Sequence, residues 1–159
     1  MRLVFFIIVL IAFDIQAQVS SNGTASVDVI RPLSIQAVNP NLDFGDIILT
    51  GTQFSVSIEP LNGAEFQITG NPSWNVTITF SPVSLDNTQW VSLYGGTTGQ
   101  IEFTPNVIKE DGSNIISGNS YQLPGSLGIL NIYLGGSIEI AANQPNGDYS
   151  GTFVVNVSY

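Results

Sequence analysis

In the stretch WNVTITF, residues 74–80, Trp74, Val76, Ile78 and Phe80 fall on one face and Asn75, Thr77 and Thr79 on the other. Successive side chains point to opposite faces of a strand, so this stretch predicts a strand with one dry and one wet face. The same period-two pattern returns along the chain. Phe54, Val56 and Ile58 carry it in QFSVSI, and Phe66 and Ile68 in AEFQIT. Ile101 and Phe103 follow, then Leu130, Ile132 and Leu134, with Ile138 and Ile140 beyond the Gly135-Gly136 pair. The final residues add Phe153, Val155, Val157 and Tyr159. No long window carries the i, i+3, i+4, i+7 spacing of an amphipathic helix.

Between these runs lie turn-forming clusters: NPNLDFG, LNG, GNPS, YGGTTG, EDGSN and NQPNGD. Gly, Pro, Asn and Asp reverse the backbone for distinct physical reasons. Short strands at such spacing predict an all-β fold, and one-faced alternation predicts antiparallel pairing. The expectation is an immunoglobulin-like antiparallel β-sandwich of about seven to nine strands. Residues 82–125 are the least regular and read as long loops with short strands. Within them, residues 109–122 read as an exposed hairpin or flexible loop. Trp74 reads as core.

The first residues are of another kind. Met1-Arg2 precedes an unbroken apolar run, LVFFIIVLIAF, at 3–13. That run is too short to span a bilayer as a helix and matches the apolar region of a secretory signal. Residues 1–17 are expected to be a signal peptide cut after Ala17, leaving residues 18–159 as one domain. The chain is then secreted, to the periplasm, outer surface or extracellular space, with no membrane insertion after cleavage.

Composition narrows the chemistry. The sequence has no His and no Cys, so Ser–His–Asp and Cys–His sites cannot be built and the usual zinc ligands are missing. No enzyme activity and no cofactor are expected. Three Lys and Arg stand against twelve Asp and Glu, and beyond the signal only Arg31 and Lys109 are cationic. A nucleic-acid partner, which needs phosphate neutralised, is excluded. Asp43 with Asp46, and Glu110 with Asp111, are oxygen pairs of the kind calcium takes, but neither matches a calcium loop, and turn hydrogen bonds account for them.

The segment QVSSNGTASVDVIRPLSIQAV near the start also alternates. Ala25, Val27, Val29, Arg31, Leu33 and Ile35 share one face, and Pro32 removes a ladder donor. An extended segment of one subunit can complete the sheet of another. Residues 18–35 are therefore a candidate donor strand. Val27, Val29, Leu33, Phe153, Val155, Val157 and Tyr159 are the candidate assembly residues, and the expected partner is the chain itself or related subunits through strand exchange. A second class stays open: a monomeric adhesin or carbohydrate-binding module facing a host or surface glycan. Trp90 and Tyr94, on the face of Ser92, are its candidate aromatics.

LDFGDI at 42–47 and YLGGSIEIAANQPNGDYSGTFVVNVSY at 133–159 resemble the DUF4402 family of small secreted bacterial β proteins. The resemblance rests on Leu42, Phe44, Gly45, Gly135, Gly136, Gln144, Gly147, Tyr149, Ser150, Gly151, Thr152, Phe153, Val155, Val157 and Tyr159. The ending is also similar to spore-coat-U-type and chaperone–usher pilin domains, although this chain lacks the spore-coat-U cysteines. The resemblance implies an exported β-sandwich with a fimbrial or surface role.

Overall fold

A computed structural model describes residues 22–159; the expected signal peptide and its cleavage point lie outside these residues. Among the described residues ten strands form: β1 (Ser34–Asn39), β2 (Phe54–Ile58), β3 (Ala64–Thr69), β4 (Asn75–Thr79), β5 (Val83–Asp86), β6 (Gln100–Lys109), β7 (Asn114–Ile115), β8 (Ser120–Gln122), β9 (Ile129–Ile140) and β10 (Asn156–Ser158). The helix α1 (Thr88–Tyr94) follows β5. All pairing is antiparallel, in a seven-stranded sheet and a three-stranded sheet ordered β10-β4-β8. The expected sandwich is what forms, with one more strand than the pattern predicted.

β9 is the spine of the large sheet. Along one edge it pairs β6, from Phe103↔Ile138 to Lys109↔Ile132. Its other edge is shared, with β3 against Ile129–Leu134 and β2 against Gly136–Ile140. β2 and β3 thus act as one strand interrupted by a 3-10 turn at Pro60–Asn62. The interruption sits on Gly135, where an added Cβ would lie 2.2 Å from the Ile58 carbonyl oxygen. Gly136 has φ +149°, and a Cβ there would lie 2.3 Å from the Thr104 carbonyl oxygen. The glycine pair is therefore what lets three backbones meet at one point. It does not end the strand: Leu130, Ile132, Leu134, Ile138 and Ile140 line one buried face straight through it.

The core lies between the sheets. Ile68, Val76, Ile78, Phe103, Val107, Leu123 and the inward residues of β9 form it. Each buried aliphatic side chain contributes about 1.5–3 kcal/mol relative to exposure. Three expectations need correction. Residues 82–125 are not mainly loops: they hold β6, ten residues long and interior to the large sheet. Its outer face is polar and Pro105 interrupts it, which masked the signal; Pro105 sits opposite Gly136, at the corner. Trp74 is half-exposed, one residue before β4, with its ring edge-on to Tyr159 at 5.2 Å. The strand expected over 25–35 begins only at Ser34, because Pro32 has no N–H to give a ladder.

Of the exposed hairpin or flexible loop expected at 109–122, it is a hairpin that forms. β7 pairs β6 at Val107↔Ile115, and Ile115 is buried. Its turn is held by Asp111, whose Oδ1 accepts from the Ser113 hydroxyl and from the Ser113 N–H at 2.9 Å.

Two outcomes are expected. Gly135→Ala loses about 3 kcal/mol or more in urea unfolding, since neither facing backbone can retreat, while Gly23→Ala, which meets nothing within 4 Å, leaves stability unchanged. The Ser113 hydrogen bonds hold the Asp111 carboxyl below its usual 3.8, at about 2. That stabilisation is complete above pH 3.8 and is lost as pH falls through about 2. NMR titration is expected to find the low value, and Ser113→Ala to raise it.

Candidate functional site

An open groove of about 720 Å³ lies above Phe103, Ile138 and Ile140, each only 2–3% exposed, with Phe44 and Phe153 packed over Phe103. Its walls are two segments without ladder pairing. LDFGDI stands on one side and the run from Gln144 to Phe153 on the other.

Each wall is built by local hydrogen bonding. Asp43 Oδ1 accepts from the Gly45 N–H at 2.8 Å, and Gly45 takes φ +68°, so the turn points Leu42 and Phe44 inward. Phe44 meets Phe103 edge-on at 6.0 Å. On the opposite wall the Tyr149 hydroxyl donates to the Pro145 carbonyl at 2.7 Å and accepts from Gln144 Nε2 at 2.8 Å. Phe153 then sits between Phe66, at 6.0 Å, and Phe103, at 6.3 Å. Asp43, Asp46 and Asp148 give the walls an acidic rim. Among the described residues, no three acids come together as a metal-ligating group.

Asn87 braces the second wall. It is fully buried, and its side chain makes three hydrogen bonds. Nδ2 donates to the carbonyls of Thr97 and Asn146, both at 3.1 Å, and Oδ1 accepts from the Gly99 N–H at 2.7 Å. Three loops are tied at one amide. Nothing in the alternation pattern marks this residue.

The C-terminal strand is paired only at its ends. Ser150 exchanges backbone hydrogen bonds with Asp86, both at 3.0 Å, and β10 pairs β4 through Val157↔Ile78. Between them, Gly151–Val155 make no backbone hydrogen bond among the described residues. Phe153, Val155 and Val157 are half-buried against the core, and Val154 faces out.

The other sequence-derived candidates are scattered. Leu33 packs into its own core beside Gly70. Val27 and Val29 are 84% and 90% exposed, on a segment without secondary structure. Tyr159 lies away from the groove. Its hydroxyl accepts from the Asn71 N–H at 2.8 Å and donates to the Arg31 carbonyl at 3.0 Å, while the Arg31 N–H donates to Asn71 Oδ1. Trp90 and Tyr94 lie on α1, not on a strand. Their rings meet at 5.4 Å, tilted by 42°, as an i, i+4 pair, which takes Ser92 off their face. Trp90 is half-buried under Gly147, and Tyr94 is exposed. The helix had a sequence signal in Asp86-Asn87-Thr88 ahead of it and Gly95, at φ +78°, behind it.

Asn87→Ala leaves two carbonyls and one N–H without their partner. It is expected to cost about 2–3 kcal/mol in urea unfolding, with Asn87→Asp no better, because a carboxylate would face the Thr97 and Asn146 carbonyls.

No helix among the described residues is long and apolar enough to cross a membrane. No curated protein and no solved structure matches the chain. A family model described as a domain of unknown function, DUF4402, matches residues 33–159. The match takes in both sheets, the Gly135-Gly136 corner and both groove walls, and the chain belongs to the DUF4402 family.

Proposed function

We propose that the chain is a secreted structural surface protein, a pilin-like subunit that assembles by β-strand complementation and performs no catalysis. The observation that carries this reading is a pair of complementary defects. The C-terminal run Gly151–Val155 makes no backbone hydrogen bond among the described residues and borders a groove that Gly151 and Phe153 line. The segment 22–32 has strand-like alternation and no place in either sheet. Exposed Val27 and Val29 cost the monomer the burial free energy that a β-branched pair offers, about 1.5–3 kcal/mol each. An extended segment gains both ladder hydrogen bonds and side-chain pockets when it adds to a sheet. Export through the 1–17 signal fits a surface role. Arg31 and Lys109 as the only cations beyond the signal fit a partner that is neither nucleic acid nor an anionic membrane.

A second reading has one observation in its favour. Tyr94 is exposed beside Trp90, and an exposed aromatic ring can lie against a sugar face, as a monomeric adhesin or carbohydrate-binding module needs.

The two differ in the size of the exported protein. Light scattering on the chain recovered from the exported fraction is expected to show multimers. Val27→Asp with Val29→Asp is expected to leave folded monomers, with an unchanged urea midpoint measured on the monomer. A wild-type chain that stays monomeric at all concentrations rejects the subunit reading, and a glycan array with Tyr94→Ala as control then tests the other.

A further inference from the structure

We propose that the outer face of the three-stranded sheet binds a neutral polysaccharide, with Trp74 as the ring against which one sugar packs. The site lies away from α1 and does not depend on whether the chain assembles by strand complementation.

The outward side chains of the small sheet supply the first argument. On β4, Val76 and Ile78 are fully buried, so Asn75, Thr77 and Thr79 point the other way. Pairing extends that face across both neighbours. Thr77 stands opposite Ser120 on β8 and Ser158 on β10, a row of hydroxyls about 4.8 Å apart from strand to strand. Asn75 stands opposite Gln122, and Thr79 opposite Asn156. Each of these side chains both donates and accepts hydrogen bonds, as sugar hydroxyls do. Among the described residues only Gln122 is committed to a protein partner, donating from Nε2 to the Ser73 carbonyl at 2.9 Å.

Charge supplies the second. The sequence carries a net −9, yet residues 66–85, 112–138 and 149–159 contain no Asp, Glu, Lys or Arg. Those three stretches hold all of β4, β8 and β10. The large sheet differs: Glu102 and Glu139 point outward from it, each between two buried neighbours. The charge nearest the small sheet's Tyr159 end is Arg31, whose guanidinium is held by the Leu127 carbonyl. An anion finds no cation among the outward residues of the small sheet, and a cation finds no acid. A ligand recognised there is neutral and rich in hydroxyl groups.

Trp74 supplies the third. It has the parity of the core residues Val76 and Ile78, yet it is 46% exposed, at the Asn75–Gln122 end of the face. Its backbone is fixed on both sides: its N–H donates to the Asn71 carbonyl at 3.3 Å, and its carbonyl accepts from the Leu123 N–H at 2.8 Å. Ser73 before it donates to the Leu123 carbonyl at 3.1 Å and takes φ +63°, the one non-glycine residue with positive φ among the described residues. Backbone strain of this kind persists only where the surroundings enforce it, and it collects at binding sites. Tyr159 braces the indole at 5.2 Å. A ring held in this way is an apolar surface ordered in advance, on which the C–H face of a pyranose packs at little ordering cost. Sugars continuing along β4 then meet the polar rows.

Full chains are mixed with insoluble cellulose, chitin and mannan, and with calcium alginate as the anionic control. Retention on at least one neutral polysaccharide, and none on alginate, is expected. Trp74→Ala and Ser158→Asp are each expected to weaken retention about tenfold or more. Ser158 is exposed, so its variant is expected to keep the wild-type urea midpoint. Tyr94→Ala is expected to change nothing. Trp90→Phe leaves Trp74 as the sole tryptophan, and its emission is expected to shift to the blue when oligosaccharides of the retained polysaccharide are added. No retention on any of the three neutral polysaccharides overturns the proposal, as does equal retention on alginate. Retention lost in Tyr94→Ala but kept in Ser158→Asp moves the sugar to α1 and overturns the sheet face. Wild-type multimers that Ser158→Asp converts to folded monomers show a second copy on this face and overturn the glycan.

Discussion

Gly135 and Gly136 sit where β9 is gripped from both sides, and the arrangement of the sandwich follows from that crowding. A central strand normally has one neighbour on each edge. β9 has β6 on one edge and, on the other, β3 and then β2, with a 3-10 turn packed against the glycine between them. The chain from Phe54 to Thr69 can run along β9 only if it steps outward at residues 59–63, and only a residue without Cβ leaves space for that step. A long spine of this kind makes a large sheet. The opposing layer has three short strands, β10, β4 and β8.

Next to the groove the large sheet is covered by side chains of flanking loops rather than by a ladder of strands. Phe44 and Phe153 lean over Phe103 from the two walls and keep the floor buried. They supply side chains but no ladder, and the backbone of Gly151–Val155 is left without protein partners among the described residues. The walls themselves are well held: Asn87 gathers three loops, and Tyr149 closes its own loop onto Pro145. A groove with braced walls and an unfilled edge is organised before anything binds, which lowers the ordering cost of binding.

Much of this was legible in the sequence, and the exceptions have causes. β2, β3, β4 and β9 announce themselves because each has one dry and one wet face. β6 hides its alternation behind Pro105, a residue that argues against a central strand and is accommodated here opposite Gly136. α1 is too short for a 3.6-residue period to emerge and is rich in poor helix formers, so its sequence signal is confined to its ends, where Asp86 accepts from the Thr88 N–H and Gly95 closes the last turn. Trp74 follows the parity of Val76 and Ile78 but lies one residue outside β4, where the sheet no longer covers it. The LDFGDI and NQPNGDYSGTF stretches could be read as signals. That they face each other across a groove could not, because their meeting depends on β9 carrying them there.

Tyr159 ties the C-terminal strand to the N-terminal segment. Its hydroxyl is shared between the Asn71 N–H and the Arg31 carbonyl, and Arg31 returns a hydrogen bond to the Asn71 side chain, closing a ring of three residues. The ring forms only when β10 is in register on β4. The strand whose middle has no ladder partner therefore fixes, at its far end, the point from which residues 22–30 leave the body.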